Sequence, residues 1–218
     1  PWPNPFGTPM HLPEIVRCLA ERGEPKYRLA QVKRGFYVER RRGWEDLTVF
    51  AKPLRLALAE AVPWDALRPV RRQEGDGGET VKTLLACVDG KNIEAVLMRH
   101  QDERNTVCVS SQVGCAMGCA FCATGTMGWT RNLTRDEIAE QVIHYARELD
   151  GRGERVTNVV LMGMGEPLHN YDEVLGALRL LNDPEGFCLG ARHLSISTCG
   201  IVPGILRLAD EPLQVNLA

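Results

Sequence analysis

Residues 107–125 read VCVSSQVGCAMGCAFCATG, and the fold follows from how this stretch is read. Thr106–Ser111 is strand-like and feeds a glycine-rich loop that carries Cys115, Cys119 and Cys122 as C-x3-C-x2-C. A 4Fe-4S cluster wants one thiolate on each iron, so three cysteines on one short loop serve three irons and leave the fourth open to a small molecule. Structural zinc usually takes two separated C-x2-C knuckles, or one knuckle with a His pair. Here the only C-x2-C is Cys119 to Cys122. Three cysteines within eight residues, among Gly114, Gly118 and Gly125 and beside Phe121, are not ordinary core packing either.

After the loop the chain repeats strand, loop, helix. Thr134 opens a helix with a capping box to Glu137, and Ile138, Val142, Tyr145 and Leu149 form its apolar stripe. Asn158–Met162 reads as a second strand, Asn170 as the cap of a helix with Val174, Leu175, Leu178 and Leu181 inward, and His193–Thr198 as a third strand. Pro203 sits where a short helix begins, and Leu213–Ala218 starts a fourth strand. The expected class is α/β: a parallel sheet with right-handed crossovers, the first three to four βα units of a (β/α) barrel. Four strands cannot close a barrel. With no initiator Met and an apolar strand at the end, the chain is expected to be a fragment of a longer protein or a cropped sequence.

Upstream, LPEIVRCLAERG, YRLAQVKRGFYVERR and PLRLALAEAV carry helical periodicity, which predicts a small helical domain over residues 1–72. QEGDGGE, residues 73–79, reads as a flexible joint; TVKTLLACV and NIEAVLMRH flank Asp89-Gly90 and predict a β-hairpin. The expected organisation is therefore 1–72, a linker and hairpin over 73–100, and the barrel portion over 101–218.

With 44% hydrophobic and 25% charged residues, the composition is that of a soluble globular protein. No run approaches a membrane span, and PWPNPFGTP is too polar and proline-rich for a signal peptide, so a cytoplasmic protein without membrane contact is expected. Eight cysteines, three of them at cluster spacing, fit a reducing compartment better than a disulfide scaffold. The net charge of −2 hides an asymmetry: residues 1–72 hold 14 Lys and Arg against 8 Asp and Glu, residues 73–218 hold 12 against 20. Lys33, Arg34, Arg40, Arg41, Arg42, Arg71 and Arg72, interleaved with Tyr27, Phe36, Tyr37 and Trp44, form either a phosphate-contacting surface with stacking side chains or a solvated helical face.

In a parallel sheet, ligands bind at the carboxyl ends of the strands. The cysteine loop follows the first strand and Gly163-Met164-Gly165-Glu166-Pro167 the second. In the latter, backbone carbonyls and the Glu166 carboxylate could receive an ammonium group while the glycines admit a ligand. Alone this is a plain strand-to-helix turn; beside a cluster loop it suggests the amino-group site for S-adenosylmethionine (SAM), which an open iron chelates through its amino and carboxylate groups and which one electron splits to a 5'-deoxyadenosyl radical. Ser197 and Thr198 end the third strand and read either as hydrogen-bond partners for ribose or carboxylate or as the polar residues common at strand ends. Cys108 reads as a fourth ligand, a core thiol or a redox partner, and the first would close the iron that SAM needs. Cys18, Cys87, Cys188 and Cys199 have no chemical spacing and are expected in the core.

VCVSSQVGCAMGCAFCATG, TRNLT, NVVLMGMGEPLHNYDEV and GARHLSISTCGIVPGI resemble, in order, the signature blocks of the RlmN/Cfr family of radical SAM RNA methyltransferases. YRLAQV resembles that family's N-terminal helical RNA-binding domain. The resemblance implies two-stage methyl transfer to an adenine carbon, C2 for the RlmN type, in 23S rRNA and for some members in tRNA. One SAM methylates a protein cysteine, a second gives the radical that activates that methyl, and the resulting methylene adds to the ring. Adenine C2 is an amidine carbon and not nucleophilic, so polar transfer from SAM would fail where radical addition succeeds. By motif, Cys115, Cys119 and Cys122 resemble the cluster ligands, Gly165, Glu166 and Ser197 the SAM contacts, and Cys108 the cysteine that resolves the covalent RNA adduct by forming a disulfide. Glu94 resembles a proposed proton acceptor, with an ordinary surface glutamate as the alternative. A monomer served by an electron donor such as flavodoxin or ferredoxin completes the expectation. The family's methyl-carrying cysteine and a Ser-Leu-His stretch belong to a C-terminal segment that these 218 residues do not include, so the fragment alone is expected not to methylate RNA. Cfr-type methylation at C8 and a zinc-bearing RNA-binding module are the alternatives; a glycyl-radical activase shares the cysteine spacing but acts on protein, and the basic helical segment argues against it.

Overall fold

The computed structural model describes residues 12–218; the opening PWPNPFGTP lies outside them. Strands β1 (Leu67–Gly75), β2 (Thr80–Cys87), β3 (Asn92–Arg99) and β4 (Asn105–Cys108) are successive antiparallel neighbours. Short β5 (Gln112–Gly114) and β6 (Trp129–Asn132) pair separately as the base of the cysteine loop. Then β7 (Asn158–Leu161), β8 (Leu194–Ile196) and β9 (Asn216–Leu217) extend the main sheet, each parallel to its neighbour, in the order β1-β2-β3-β4-β7-β8-β9.

Three helices precede the sheet: α1 (Leu12–Glu21), α2 (Tyr27–Lys33, continued by a wider π turn over Arg34–Val38) and α3 (Lys52–Ala61). The crossovers between parallel strands are α4 (Arg135–Asp150), α5 (Tyr171–Asn182) and α6 (Val202–Ala209). The α4 start follows the sequence: the Thr134 side chain accepts from Glu137 N, the Glu137 carboxylate accepts from Thr134 N, and two orphan donors of the first turn are satisfied. All four stripe residues of α4 are fully buried. Period-two alternation in β2 and β3 sends Val81, Leu85, Ile93, Ala95 and Leu97 to the same covered face. There the Tyr145 hydroxyl sits 2.9 Å from Val81 O, 2.8 Å from Ala95 O and 3.0 Å from Thr83 Oγ1, and burial pushes its pKa up to about 12.

The opposite face is open. Register places Lys82, Val96, Cys108, Val160, Ser195 and Asn216 in one row across it. In a closed barrel this would be the interior.

Several expectations need correction. Residues 73–79 are not a flexible joint: β1 pairs with β2 as far as Gly75↔Thr80, and Asp76–Gly78 forms the tight turn between them. The periodicity missed β1 because only Leu67 of this edge strand is buried, so no apolar alternation exists to read. The expected boundary at 72/73 consequently falls inside β1. The first barrel strand ends at Cys108 rather than Ser111, because the chain then leaves the sheet toward β5. Asn170 stands at the start of α5, but its side chain makes no cap; its amide is used elsewhere.

Candidate active site

The cysteine loop is closed at its base. Gly114 pairs with Trp129, Cys115 N donates to Gly128 O at 3.0 Å, and Gly114 (φ +76°) leaves no room for a side chain, since a Cβ would meet the Gly128 carbonyl. Inside the loop, Cys122 N donates to Cys119 O and Gly125 N to Cys122 O, both at 3.0 Å, so successive tight turns carry the last two cysteines. Cys115 is buried, Cys119 and Cys122 are half-buried, and all three thiols are free. The donor set, three soft thiolates on one glycine-bordered loop, suits a 4Fe-4S cluster, which takes one thiolate on each of three irons.

The loop after β7 lies against the exit from β4. Met164 O accepts from Ser111 N (2.8 Å) and Gln112 N (3.1 Å), Met164 N donates to Ser110 Oγ (2.9 Å), and Glu166 N donates to Gln112 Oε1 (2.9 Å). Gly165 has φ +105°, and a Cβ there would lie 2.6 Å from Gln112 Cβ. The expected reason for this glycine changes accordingly: its bareness admits a neighbouring strand of the chain rather than a ligand. The Glu166 carboxylate also differs from expectation. It is buried and accepts from Leu168 N (2.9 Å) and Thr198 Oγ1 (2.8 Å) on Oε1, and from Cys199 N (2.9 Å) on Oε2. It therefore ties the β7 loop to the β8 loop.

Cys108 is half-buried on the open face of the sheet; burial raises its thiol pKa, and the Met162 backbone N–H offsets part of that. Glu94, two positions before Val96 on β3, shares that face, and its backbone carbonyl accepts from Ser110 Oγ at 2.6 Å. Ser197, one step beyond β8, alternates onto the same face as Ser195 and is half-buried. The structure thus brings Glu94, Cys108 and Ser197 to one surface, with the cysteine loop and β7 loop at its strand-exit edge.

Other expectations separate. Cys18 and Cys87 are buried, but Cys188 and Cys199 are exposed rather than in the core. Cys199 lies in the loop after β8, its backbone N–H tied to Glu166, and Cys188 follows the turn after α5 with φ +61°. Phe36, Tyr37 and Trp44 are not stacking side chains. With Trp64 they form an aromatic core of edge-on and tilted contacts, and only Tyr27 of the four expected aromatics is exposed.

A family model described as the Radical SAM superfamily matches residues 109–217. The chain belongs to the radical SAM superfamily. It is 43% identical to the "Ribosomal RNA large subunit methyltransferase N" of Nitrosopumilus maritimus over 94% of this chain and 60% of that protein. It is likewise 43% identical to the "Probable dual-specificity RNA methyltransferase RlmN" of Bacillus cytotoxicus, over 99% of this chain and 59% of the other. A crystal structure of a radical SAM methyltransferase from Sphaerobacter thermophilus superposes with a TM-score of 0.89 at 48% identity, over 95% of this chain and 61% of that one. The chain thus spans about three fifths of the length of these relatives.

In this radical SAM sheet, sequence reading missed the side chains that hold the strand exits together. The Gln141 amide on α4 accepts from Ser110 N (2.8 Å) and donates to Ser110 O (3.0 Å), standing in for a neighbouring strand where β4 ends. Asn170 Nδ2 donates to Ser111 O (2.8 Å) and Leu133 O (2.7 Å). The available signal was a Gln on the buried side of α4, one turn beyond Glu137, because a fully buried amide must find backbone partners.

Proposed function

We propose that this chain forms the cluster-binding and SAM-binding part of an RlmN-type RNA methyltransferase, which methylates C2 of an adenine in 23S rRNA, and in tRNA, by way of a methyl-cysteine. The names of the relatives support the substrate class. The observation that carries the reading is the shared open face of Glu94, Cys108 and Ser197 beside a three-cysteine loop.

Held by Cys115, Cys119 and Cys122, a 4Fe-4S cluster would supply the electron that activates SAM. The chain's own residues then have separable tasks. The β7 turn around Gly163 and Gly165 offers carbonyl oxygens to the amino group of SAM, Glu166 fixes that turn against the β8 loop, and Ser197 offers a hydroxyl from the next strand. Radical addition leaves one unpaired electron on the ring, which would pass back to the bound cluster; Glu94 then takes the proton from the adenine carbon that has gained the new bond, and the C–H electron pair restores the closed-shell ring. Cys108 resolves the covalent adduct: as thiolate its sulfur bonds to the sulfur of the methyl-carrying cysteine, the S–CH2 bond breaks, and the electron pair left on that carbon takes a proton to give the methyl group. The Cys108 thiol stays protonated at neutral pH because burial raises its pKa, so it is unreactive until a base removes that proton. The helical segment and its basic residues contact RNA, and a one-electron donor such as flavodoxin or ferredoxin serves the cluster.

The test is product analysis. Protein made from the full gene and purified anaerobically is expected to carry iron and sulfide and to convert adenosine in unmodified 23S rRNA and tRNA to 2-methyladenosine, read by mass spectrometry of nucleosides. Cys108→Ala is expected to trap protein covalently on RNA. Formation of 8-methyladenosine would overturn the C2 assignment, and a colourless zinc protein would overturn the whole reading.

A further inference from the structure

Lys82 is a cation on the sheet row that also carries Cys108. It occupies the same row as Val96 and Cys108, and its Nζ lies 3.1 Å from Glu94 Oε1. The two are diagonal partners across β2 and β3, since Leu84 is the residue directly opposite Glu94 and Lys82 lies one same-face step along β2. Both side chains are about two fifths exposed, at 40% and 44%. As a stabilising contact, such a pair is worth little. Its value would lie in where it aims the carboxylate.

Glu94 is held at both ends. Its backbone carbonyl accepts from Ser110 Oγ, which itself accepts from Met164 N in the β7 loop, so the Glu94 main chain is registered against the proposed SAM turn. Lys82 holds the other end, the carboxylate. A glutamate on a solvated strand samples several rotamers at χ1, χ2 and χ3, and a proton acceptor works only in the fraction of time its oxygen lies within hydrogen-bond reach of the proton. An ammonium group on the neighbouring strand narrows that distribution and keeps the carboxylate over the open face. Its compact charge and flexible stem let it follow the carboxylate as substrate arrives.

We propose that Lys82 is a positioning residue for Glu94: through the ion pair across β2 and β3 it orients the carboxylate toward the face that presents Cys108. The inference rests on the reading of Glu94 as proton acceptor, and the experiment separates the two. In the full-length holoenzyme, Glu94→Gln is expected to lower kcat for RNA methylation by about 10²–10⁴-fold, the usual contribution of a positioned base. Lys82→Met is expected to lower kcat by about tenfold or more with KM for RNA little changed, because misorientation costs rate rather than binding. Lys82→Arg, which keeps the pair, restores most of the rate. The double variant Lys82→Met/Glu94→Gln should be no slower than Glu94→Gln alone, since Lys82 has nothing left to orient.

A second readout needs neither cluster nor SAM. In cluster-free protein, NMR relaxation of the Glu94 side-chain methylenes should show greater mobility in Lys82→Met than in wild type or Lys82→Arg. If Glu94→Gln leaves kcat unchanged, the assignment of Glu94 falls and this inference with it. If Glu94→Gln is slow but Lys82→Met is not, or if the two losses multiply, the assignment of Glu94 stands and the role of Lys82 is overturned. A rise in KM without a fall in kcat would make Lys82 an RNA phosphate contact instead, which also overturns it.

Discussion

Glu166 shows what one side chain does when two loops must stay in register. Its buried carboxylate accepts three hydrogen bonds, one from its own turn and two from the β8 loop that carries Ser197. Replacing it with alanine strands those donors, the Leu168 N–H away from water and those of half-buried Thr198 and exposed Cys199 nearer to it, and each buried unsatisfied donor costs about 1–3 kcal/mol. Glu166→Ala is expected to lose about 3 kcal/mol of unfolding free energy in urea, and Glu166→Gln, which keeps one acceptor oxygen, about 1 kcal/mol. Equal losses would show that shape, not hydrogen bonding, holds the loops. His144 on α4 gives a pH-dependent counterpart. Burial is the main cause that lowers its pKa in the folded chain. The unfolded state therefore binds its proton first as pH falls, so the stability associated with neutral His144 is present above about pH 6.5 and is lost on acidification through the lower folded value. His144→Gln should flatten the acid side of a stability-versus-pH curve, measured by urea midpoints at stepped pH; an unchanged slope would remove His144 from that account.

At the scale of elements, Arg131 on β6 joins three of them. It pairs with Asp89 in the β2–β3 turn at 2.6 Å and makes two 2.8 Å hydrogen bonds to Glu137, the fully buried capping residue of α4. Both partners hold its pKa up, the Glu137 hydrogen bond most. Without the guanidinium, Glu137 keeps the Thr134 N–H, but part of its charge is uncompensated. Arg131→Ala is expected to cost about 3 kcal/mol, at the low end for breaking a buried pair, and to loosen the base of the cysteine loop. Hydrogen exchange at Cys115 N–H, bonded to Gly128 O, should speed up with it; exchange unchanged despite lost stability would mean the hairpin holds itself. This element also marks how far the sequence could be read. The capping box and the apolar stripes of α4 and α5 were legible because they repeat locally at the period of a helix. So were the Asp89-Gly90 hairpin and the cysteine loop, whose turn residues or spacing are compatible with few structures. The edge strand β1 was not, since solvent on nearly all of it erases alternation. Nor were Gln141, Asn170 and the clasp by Glu166, whose partners lie 31 to 59 residues away along the chain or in a separate loop. Spacing reports neighbours along a segment; these contacts depend on which segments meet.

At the scale of the whole molecule, the helical segment before the sheet is joined to α4 rather than hung from a joint. Leu12 N donates to Asp136 Oδ2 (3.2 Å), Ala66 N and Leu67 N donate to the two oxygens of fully buried Glu140 (2.7 and 2.8 Å), and Arg147 pairs with Asp65 (2.8 Å) while donating to Arg41 O (2.7 Å). One connected apolar cluster runs from Ile15 in α1 to Leu208 in α6. A basic segment free to swing would meet an anionic partner independently; one bound to α4 presents its charge in a fixed relation to the sheet face. The cost of detaching it is the exposure of that shared core together with Glu140, whose pKa burial raises and whose two backbone donors would go unpaired. Such coupling predicts a single cooperative unfolding transition. Fluorescence from buried Trp44 and Trp64 reports the helical segment, and far-UV circular dichroism reports all elements, so their urea curves should coincide in midpoint and slope. Glu140→Ala should move both curves to lower urea together, because the broken contact belongs to one unit. Fluorescence loss well before the circular dichroism change would instead describe two units that unfold separately, and the fixed placement of the basic segment would not survive it.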